Sequence, residues 1–284
     1  MERAFDRRGR PLTRQEKIEQ SILKKFRKDV WRKFTRGVRE YELVSDGDRI
    51  AVCISGGKDS MLLAKCMQEL QRHGEKHFEL VFLTMDPGYN PENRAKIEQN
   101  AEILGLDLNI FETEIFDAVA DIEQSPCYLC ARMRRGYLYA NAQKLGCNKI
   151  ALGHHFDDVV ETILMSMTYA AEYRTMMPKL HSTNFSGMEL IRPMYLVPES
   201  AIVAWARYNE LEFIRCACRF TEKSAEHEGM SKRAETKKLL AELRKVNPNV
   251  DLNIFRSVHN VNLETIIGWH DGEKSETFLD RYEK

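Results

Sequence analysis

The stretch from Arg49 to Leu63, RIAVCISGGKDSMLL, limits the fold more than any other part of the chain. Arg49 to Ile54 is a short apolar run rich in β-branched residues, suited to a strand buried on both faces. Ser55, Gly56 and Gly57 allow a tight turn, and apolar residues from Met61 to Leu70 recur at helical spacing. Strand, glycine turn and helix N-terminus together make an anion cradle, because free backbone N–H groups and the positive end of the dipole converge there. Lys58 adds charge and Ser60 a hydroxyl. The Walker A pattern does not fit: Val52 stands in place of its first glycine, and Asp59 follows the lysine where Ser or Thr is required.

Beyond this stretch, strands alternate with helices. Strands are expected at Leu80 to Met85, Leu108 to Phe111, Lys149 to Leu152 and Leu190 to Ile191. Helices are expected at Asn93 to Leu104, Arg132 to Leu145, Asp157 to Tyr169 and Ala201 to Tyr208. That rhythm predicts an α/β fold with a doubly wound, mainly parallel sheet, whose ligands bind beyond the carboxyl ends of the strands. Residues 12–42 read as one or two helices with Ile18, Ile22, Phe26 and Val30 on one face. Residues 231–246 read as a basic helix and 251–284 as a polar tail. The expected division is a basic helical arm (1–45), an α/β domain (46–220) and a C-terminal helical extension (221–284).

Charge is balanced over the whole chain but not along it. Residues 1–40 hold 14 Lys+Arg against 6 Asp+Glu, a net of +8, which leaves −8 for the remainder. Such an arm suits a polyanion such as nucleic acid, although a solvated amphipathic helix would carry the same pattern. No apolar run reaches the length of a membrane helix, and MERAFDRRGR lacks the apolar core of a signal peptide, so a cytoplasmic protein is expected. Seven cysteines in that compartment point to thiols, a metal or a redox centre rather than disulfides.

Two further constellations carry chemistry. Cys127 and Cys130 form a CxxC ahead of the helix ARMRRGYLYA, where the dipole and Arg132, Arg134 and Arg135 favour thiolates. A redox pair, half of a zinc site completed by Cys216 and Cys218, or ligands of an iron–sulfur cluster are the three readings. Cys53, Cys66 and Cys147 lie in apolar patterns and read as packing residues. Gly153-His154-His155-Phe156-Asp157-Asp158 ends a strand and opens a helix, where carboxylates can hold Mg²⁺ against phosphates and Asp157 can serve as N-cap. Asp86 closes another strand at the same edge.

SGGKDS after a strand resembles the PP-loop of ATP pyrophosphatases, which cleave ATP to AMP and pyrophosphate. With PCYLCARMRRGYLY, KIALGHHFDDVVET, MMPKL and IRPMYLV, residues 49–220 resemble the tRNA 2-thiocytidine synthetase family. Where that family usually carries a second CxxC this chain has Cys216-Ala217-Cys218, and Phe156 replaces a usual polar or basic residue. The resemblance implies ATP-dependent sulfur transfer to a tRNA base, with 2-thiolation of an anticodon-loop cytidine foremost. ATP would bind at Ser55, Gly56, Gly57, Lys58, Asp59, Ser60, Asp86 and Gly153, with Asp59 and Asp158 near Mg²⁺. Cys127, Cys130 and one of Cys216 or Cys218 would hold a 4Fe-4S cluster with one open iron; alternatively Cys127 or Cys130 acts as a persulfide nucleophile. The implied catalytic set is Lys58, Asp59, Cys127, Cys130 and Asp158. The partners are tRNA and a sulfur donor, either a cysteine desulfurase or sulfide, with no membrane and a homodimer left open. The competing readings are an RNA modifier of amidating, thiouridine or lysidine type with structural zinc, and a non-catalytic RNA-binding or redox-sensing protein.

Overall fold

The computed structural model describes residues 9–118, 126–214 and 232–282. Its centre is β1 (Arg49–Ile54), paired in parallel with β2 (Glu79–Asp86) on one side and β4 (Lys149–Ala151) on the other. β3 (Leu108–Glu112) lies outside β2, and β6 (Glu189–Ile191) lies outside β4, both parallel. The order is β3-β2-β1-β4-β6-β5, closed by the antiparallel edge strand β5 (Lys179–His181). The parallel sheet agrees with the βα rhythm. The edge strand is an addition to it, because three residues with largely exposed side chains give no alternation to read.

Chain direction from β1 to β2 runs one way across the sheet, and β4 starts again on the other side of β1. The crevice between the carboxyl ends of β1 and β4 is therefore the topological switch point where doubly wound sheets bind ligands. α3 (Lys58–His73) and α7 (Phe156–Tyr169) both start there. α4 (Pro91–Leu104) and α8 (Glu199–Tyr208) pack with α3 on one face, and α6 (Pro126–Lys144) covers the other. A short α5 (Ile115–Ala118) precedes α6.

The N-terminal helices enter the same core. α1 (Arg14–Leu23) opens with a reciprocal cap: Thr13 Oγ1 accepts from the Glu16 N–H at 3.2 Å, and Glu16 Oε2 from the Thr13 N–H at 2.8 Å. A π turn (Arg27–Trp31) leads into α2 (Arg32–Glu40). Ile18, Ile22, Phe26, Val30, Phe34 and Val38 are all buried, in one cluster with Val52, Met61 and Trp205. A spacing of four drifts around an ideal α-helix, and the wider π turn takes up that drift. Lys65 of α3, fully buried, donates to Glu19 of α1 at 2.7 Å and to the Leu104 carbonyl at 2.7 Å. Breaking such a buried pair on one side costs about 3–5 kcal/mol, so the arm is fastened to α3.

The basic helix expected at 231–246 is α9 (Lys232–Val246), lying against α7. The segment read as a polar tail contains α10 (Val250–Ser257), a hairpin of β7 (Gly268–His270) and β8 (Ser275–Thr277), and α11 (Leu279–Tyr282). Phe255 anchors it: the ring is buried, with its centroid 5.0 Å from that of Phe156. Among the described residues no helix is long and apolar enough to cross a membrane.

Candidate active site

At the end of β1 the backbone needs glycine once. Gly56 has φ +82°, and a Cβ there would lie 2.6 Å from both Ile97 Cγ1 and Ile214 Cδ1. Gly57 is the N-cap of α3; no side chain caps it, and a Cβ would meet only Ser55 Oγ at 3.7 Å. No side chain among the described residues takes up the first N–H groups of α3, as an anion cradle requires. Ser60 braces the loop: its Oγ accepts from the Ser55 N–H at 3.1 Å and donates to the Gly57 carbonyl at 3.0 Å. Gly56→Ala is expected to lower stability by roughly 2–4 kcal/mol, through a left-handed residue bearing a Cβ and an overpacked contact. Gly57→Ala should leave stability nearly unchanged and weaken ATP binding. Urea denaturation midpoints and ATP titrations separate the two.

The loop after β4 leans on this cradle. A Cβ on Gly153 would stand 3.0 Å from the Ser60 nitrogen and 3.1 Å from the Asp59 carbonyl carbon, so the glycine lets two loops pack rather than standing alone before a ligand. His155, not Asp157, is the N-cap of α7: its side chain accepts from the Asp158 N–H at 3.4 Å, and Asp158 Oδ2 accepts from the His155 N–H at 3.0 Å. Asp157 points elsewhere, accepting from the Glu199 N–H at 2.8 Å and pairing with Arg244 at 3.2 Å. The His155 ring spans two carboxylates, with Nε2 3.9 Å from Asp59 Oδ1 and Nδ1 3.5 Å from Asp158 Oδ2.

Charge is concentrated here. Lys58 Nζ sits 2.9 Å from Glu199 Oε1 and 3.2 Å from Asp59 Oδ2. Burial alone would lower the lysine's pKa, but these two carboxylates raise it above the usual value. Burial raises Asp59 above the ordinary carboxylate range, against the pull of Lys58 and His155. Its Oδ1 is buried without a hydrogen-bond partner among the described residues. Glu161, one turn beyond Asp158, is buried and likewise raised by burial. α9 answers with Arg233, 3.5 Å from both Asp158 and Glu161, and Lys237, 3.6 Å from Glu161.

Asp86 lies one strand away and is occupied by its own turn. Oδ1 accepts from the Gly88 and Tyr89 N–H groups at 2.9 and 2.7 Å, and Oδ2 from Arg94 at 2.6 Å. Burial pushes its pKa up, yet these donors hold it below the usual range. The CxxC does not precede its helix. α6 begins at Pro126, a residue suited to the first helical position, so Cys127 lies in the first turn and Cys130 follows within the helix. Cys130 is half-buried against Met85 and Ile115. Cys216 and Cys218 lie outside the described residues. Cys53, Cys66 and Cys147 are buried, and burial raises each thiol, Cys53 to about 12.

Comparison with known proteins adds three findings. A family model described as a PP-loop domain matches residues 18–218. A tRNA-cytidine(32) 2-sulfurtransferase from Geobacter sulfurreducens is 38% identical over 229 residues, 80% of this chain and 87% of the relative. One from Geotalea daltonii is 34% identical over 248 residues, 86% of this chain and 94% of the relative. Among solved structures, the U34-tRNA thiolase NcsA from Methanococcus maripaludis, determined with its 4Fe-4S cluster, matches with TM-score 0.63 at 20% identity. That match covers 94% of this chain and 91% of the thiolase, and it shows a shared fold.

Proposed function

The chain belongs to the PP-loop family of tRNA-cytidine 2-sulfurtransferases, and from that premise we propose that it consumes ATP to replace the C2 oxygen of a tRNA cytidine with sulfur, at position 32 as its relatives' name states. The observation that carries this reading is the convergence of Asp59 and Asp158 on His155, where SGGKDS and GHHFDD meet at the switch point.

Activation solves a leaving-group problem. The cytidine O2 attacks the α-phosphorus of ATP and pyrophosphate departs; a sulfur nucleophile then attacks C2, and the C2–O bond breaks with loss of AMP. The uncapped N–H groups after Gly57 bind the departing pyrophosphate, and Lys58 neutralises charge that grows on it. Asp59 Oδ1, buried and without a hydrogen-bond partner among the described residues, fits a cation ligand, with Asp158 reaching the same His155 ring. Mg²⁺ held there would supply charge compensation on the phosphate oxygens. Cys127 and Cys130, placed at i and i+3 at the start of α6, fit two ligands of a 4Fe-4S cluster, with Cys216 or Cys218 as the third. Such a cluster would offer one iron without a protein ligand as a place for incoming sulfur. The sulfur comes from sulfide or a cysteine desulfurase.

The test is direct. Anaerobically prepared protein, ATP, sulfide and a tRNA transcript are combined, and the digested nucleosides are analysed by mass spectrometry. We expect 2-thiocytidine from a transcript with cytidine at position 32 and none when it is uridine. No thiolated nucleoside from either transcript would refute the reading.

The tRNA needs a docking surface, and the arm offers one. Lys24, Lys25, Arg27, Lys28, Arg32, Arg36 and Arg39 are exposed, while the apolar stripe between them is buried. Because that stripe is core, the informative variant is Arg32, Arg36 and Arg39 changed together to Ser, not deletion of the arm. We expect weaker tRNA binding, with the slope of log affinity against log salt smaller by roughly 0.7–0.9 for each phosphate that is no longer neutralised. An unchanged slope would mark the arm as a merely solvated surface.

A further inference from the structure

Arg192 directly follows β6 and is only 7% exposed, yet it makes no ion pair with any described residue. Its Nη1 donates to the Met177 carbonyl, and its Nε is buried without a partner among the described residues. A buried guanidinium normally faces a carboxylate, because burying an uncompensated charge is costly. Here the nearby charges include another cation, Arg135 of α6, and on the acidic side Asp158.

The pairing of β4 with β6 explains the neighbourhood. Ala151 lies opposite Ile191, so the segments that follow, which carry His154 and Arg192, both leave the sheet at its carboxyl edge. Arg192 shares its strand face with Leu190, which packs in the cluster under α6 with Tyr139. Among charged groups Arg192 acts most strongly on His154, whereas the next residue, His155, lies against Asp59 of the PP-loop. His154 Nδ1 is also buried with no hydrogen-bond partner among the described residues. Burial, then Arg192, pushes its pKa down to about 4, so the ring is neutral and able to share a proton in a hydrogen bond. Two buried nitrogens without hydrogen-bond partners among the described residues thus lie in the segments that follow two paired strands, with Arg135 of α6 as the nearby second cation.

We propose that Arg192 and His154, with the exposed Arg135 beside them, form a second anion pocket that takes a phosphate oxyanion of the target nucleotide. The proposal rests on the sulfur-transfer reading for its ligand. Two sources share that chemistry: the phosphoryl group of AMP joined to the activated base, and a phosphodiester flanking the cytidine in the RNA. Either way the pocket holds the nucleotide on the α6 side while the PP-loop keeps the pyrophosphate on the α3 side.

The test is equilibrium binding without sulfur donor, using AMP and an anticodon stem–loop as probes. Wild type is compared with Arg192→Gln, Arg192→Lys and His154→Gln. For the probe that uses the pocket we expect Arg192→Gln to weaken binding about 10- to 100-fold, the size of a missing charge-assisted hydrogen bond. Arg192→Lys should fall between, since lysine restores charge but not the planar fork. Stem–loops with single neutral methylphosphonates beside the cytidine separate the sources. If the ligand is the phosphodiester, one neutral linkage costs wild type the same factor and costs Arg192→Gln nothing further. If it is AMP, the neutral linkages have no effect and AMP affinity falls in the variants. Affinities for both probes within about twofold of wild type in folded Arg192→Gln would overturn the pocket. Should that variant not fold, the methylphosphonate series on wild type and AMP binding to His154→Gln decide, and no effect in either overturns it equally. Failure of wild type to release pyrophosphate with tRNA would instead refute the sulfur-transfer reading, because the binding arms need no turnover.

Discussion

Lys58→Ala and Asp59→Ala are each expected to cut tRNA-dependent pyrophosphate release by about a hundred- to a thousandfold while the fold persists. Preorganised charge aimed at a transition state is commonly worth about 3–4 kcal/mol per group, which is a factor of roughly one hundred to one thousand. The geometry keeps this effect separate from stability. Lys58 bridges Asp59 and Glu199, but the side chains of all three remain about a third exposed. Pairs so placed contribute at most about 1 kcal/mol to folding. Asp59 is moreover held against the cost of burial, which raises its pKa, so its carboxylate is not there for stability. Glu199→Gln should produce a milder loss, because the lysine keeps Asp59 but loses the carboxylate that fixes its reach. Urea denaturation and a pyrophosphate assay on the same preparations check both halves. A wild-type rate from either alanine variant would remove the PP-loop from the mechanism.

The parts of this site that could be read from sequence are those that sit within one strand–turn–helix unit. The β-branched run before Ser55 and the two glycines specify β1 and the start of α3 without help from elsewhere. GHHFDD is legible for the same reason, although the capping residue is not. Asp157 and His155 both stand at a helix start, and only packing against α8 shows that Asp157 is engaged by the Glu199 N–H. The start of α6 escapes a sequence reading because a pair of cysteines looks like a ligand loop, although Pro126 is a helix-opening residue. Glu199, Arg233 and Lys237 are invisible as site residues. They reach Lys58, Asp158 and Glu161 from α8 and α9, and no local period encodes that α9 crosses α7. The amphipathic stripe of the arm is plain, but its place in the core depends on Val52, Met61 and Trp205 meeting it.

Replacing Cys127 or Cys130 with alanine is expected to remove iron and its brown absorbance from anaerobically prepared protein and to abolish thiolation. Pyrophosphate release should survive, since the PP-loop and Asp158 follow β1 and β4 whereas both cysteines belong to α6 on the opposite face of the sheet. The position of the pair supports this. Cys127 lies in the first turn of α6, and Cys130 is one turn on and half-buried. Cys216 and Cys218 then distinguish a cluster from zinc. Residues at i and i+2 of an extended segment share a side, so spacing alone allows both to bind. A closed tetrahedral zinc site needs four protein ligands, so both would be indispensable. A cluster with an open iron takes three, so one of the two should be dispensable and the other should behave like Cys127. Iron, sulfide and zinc analysis of the four single alanine variants, alongside thiolation and pyrophosphate assays, reads the answer. Protein that holds one zinc and no iron, and needs all four cysteines to keep it, would replace the cluster with a structural metal and move the sulfur chemistry elsewhere.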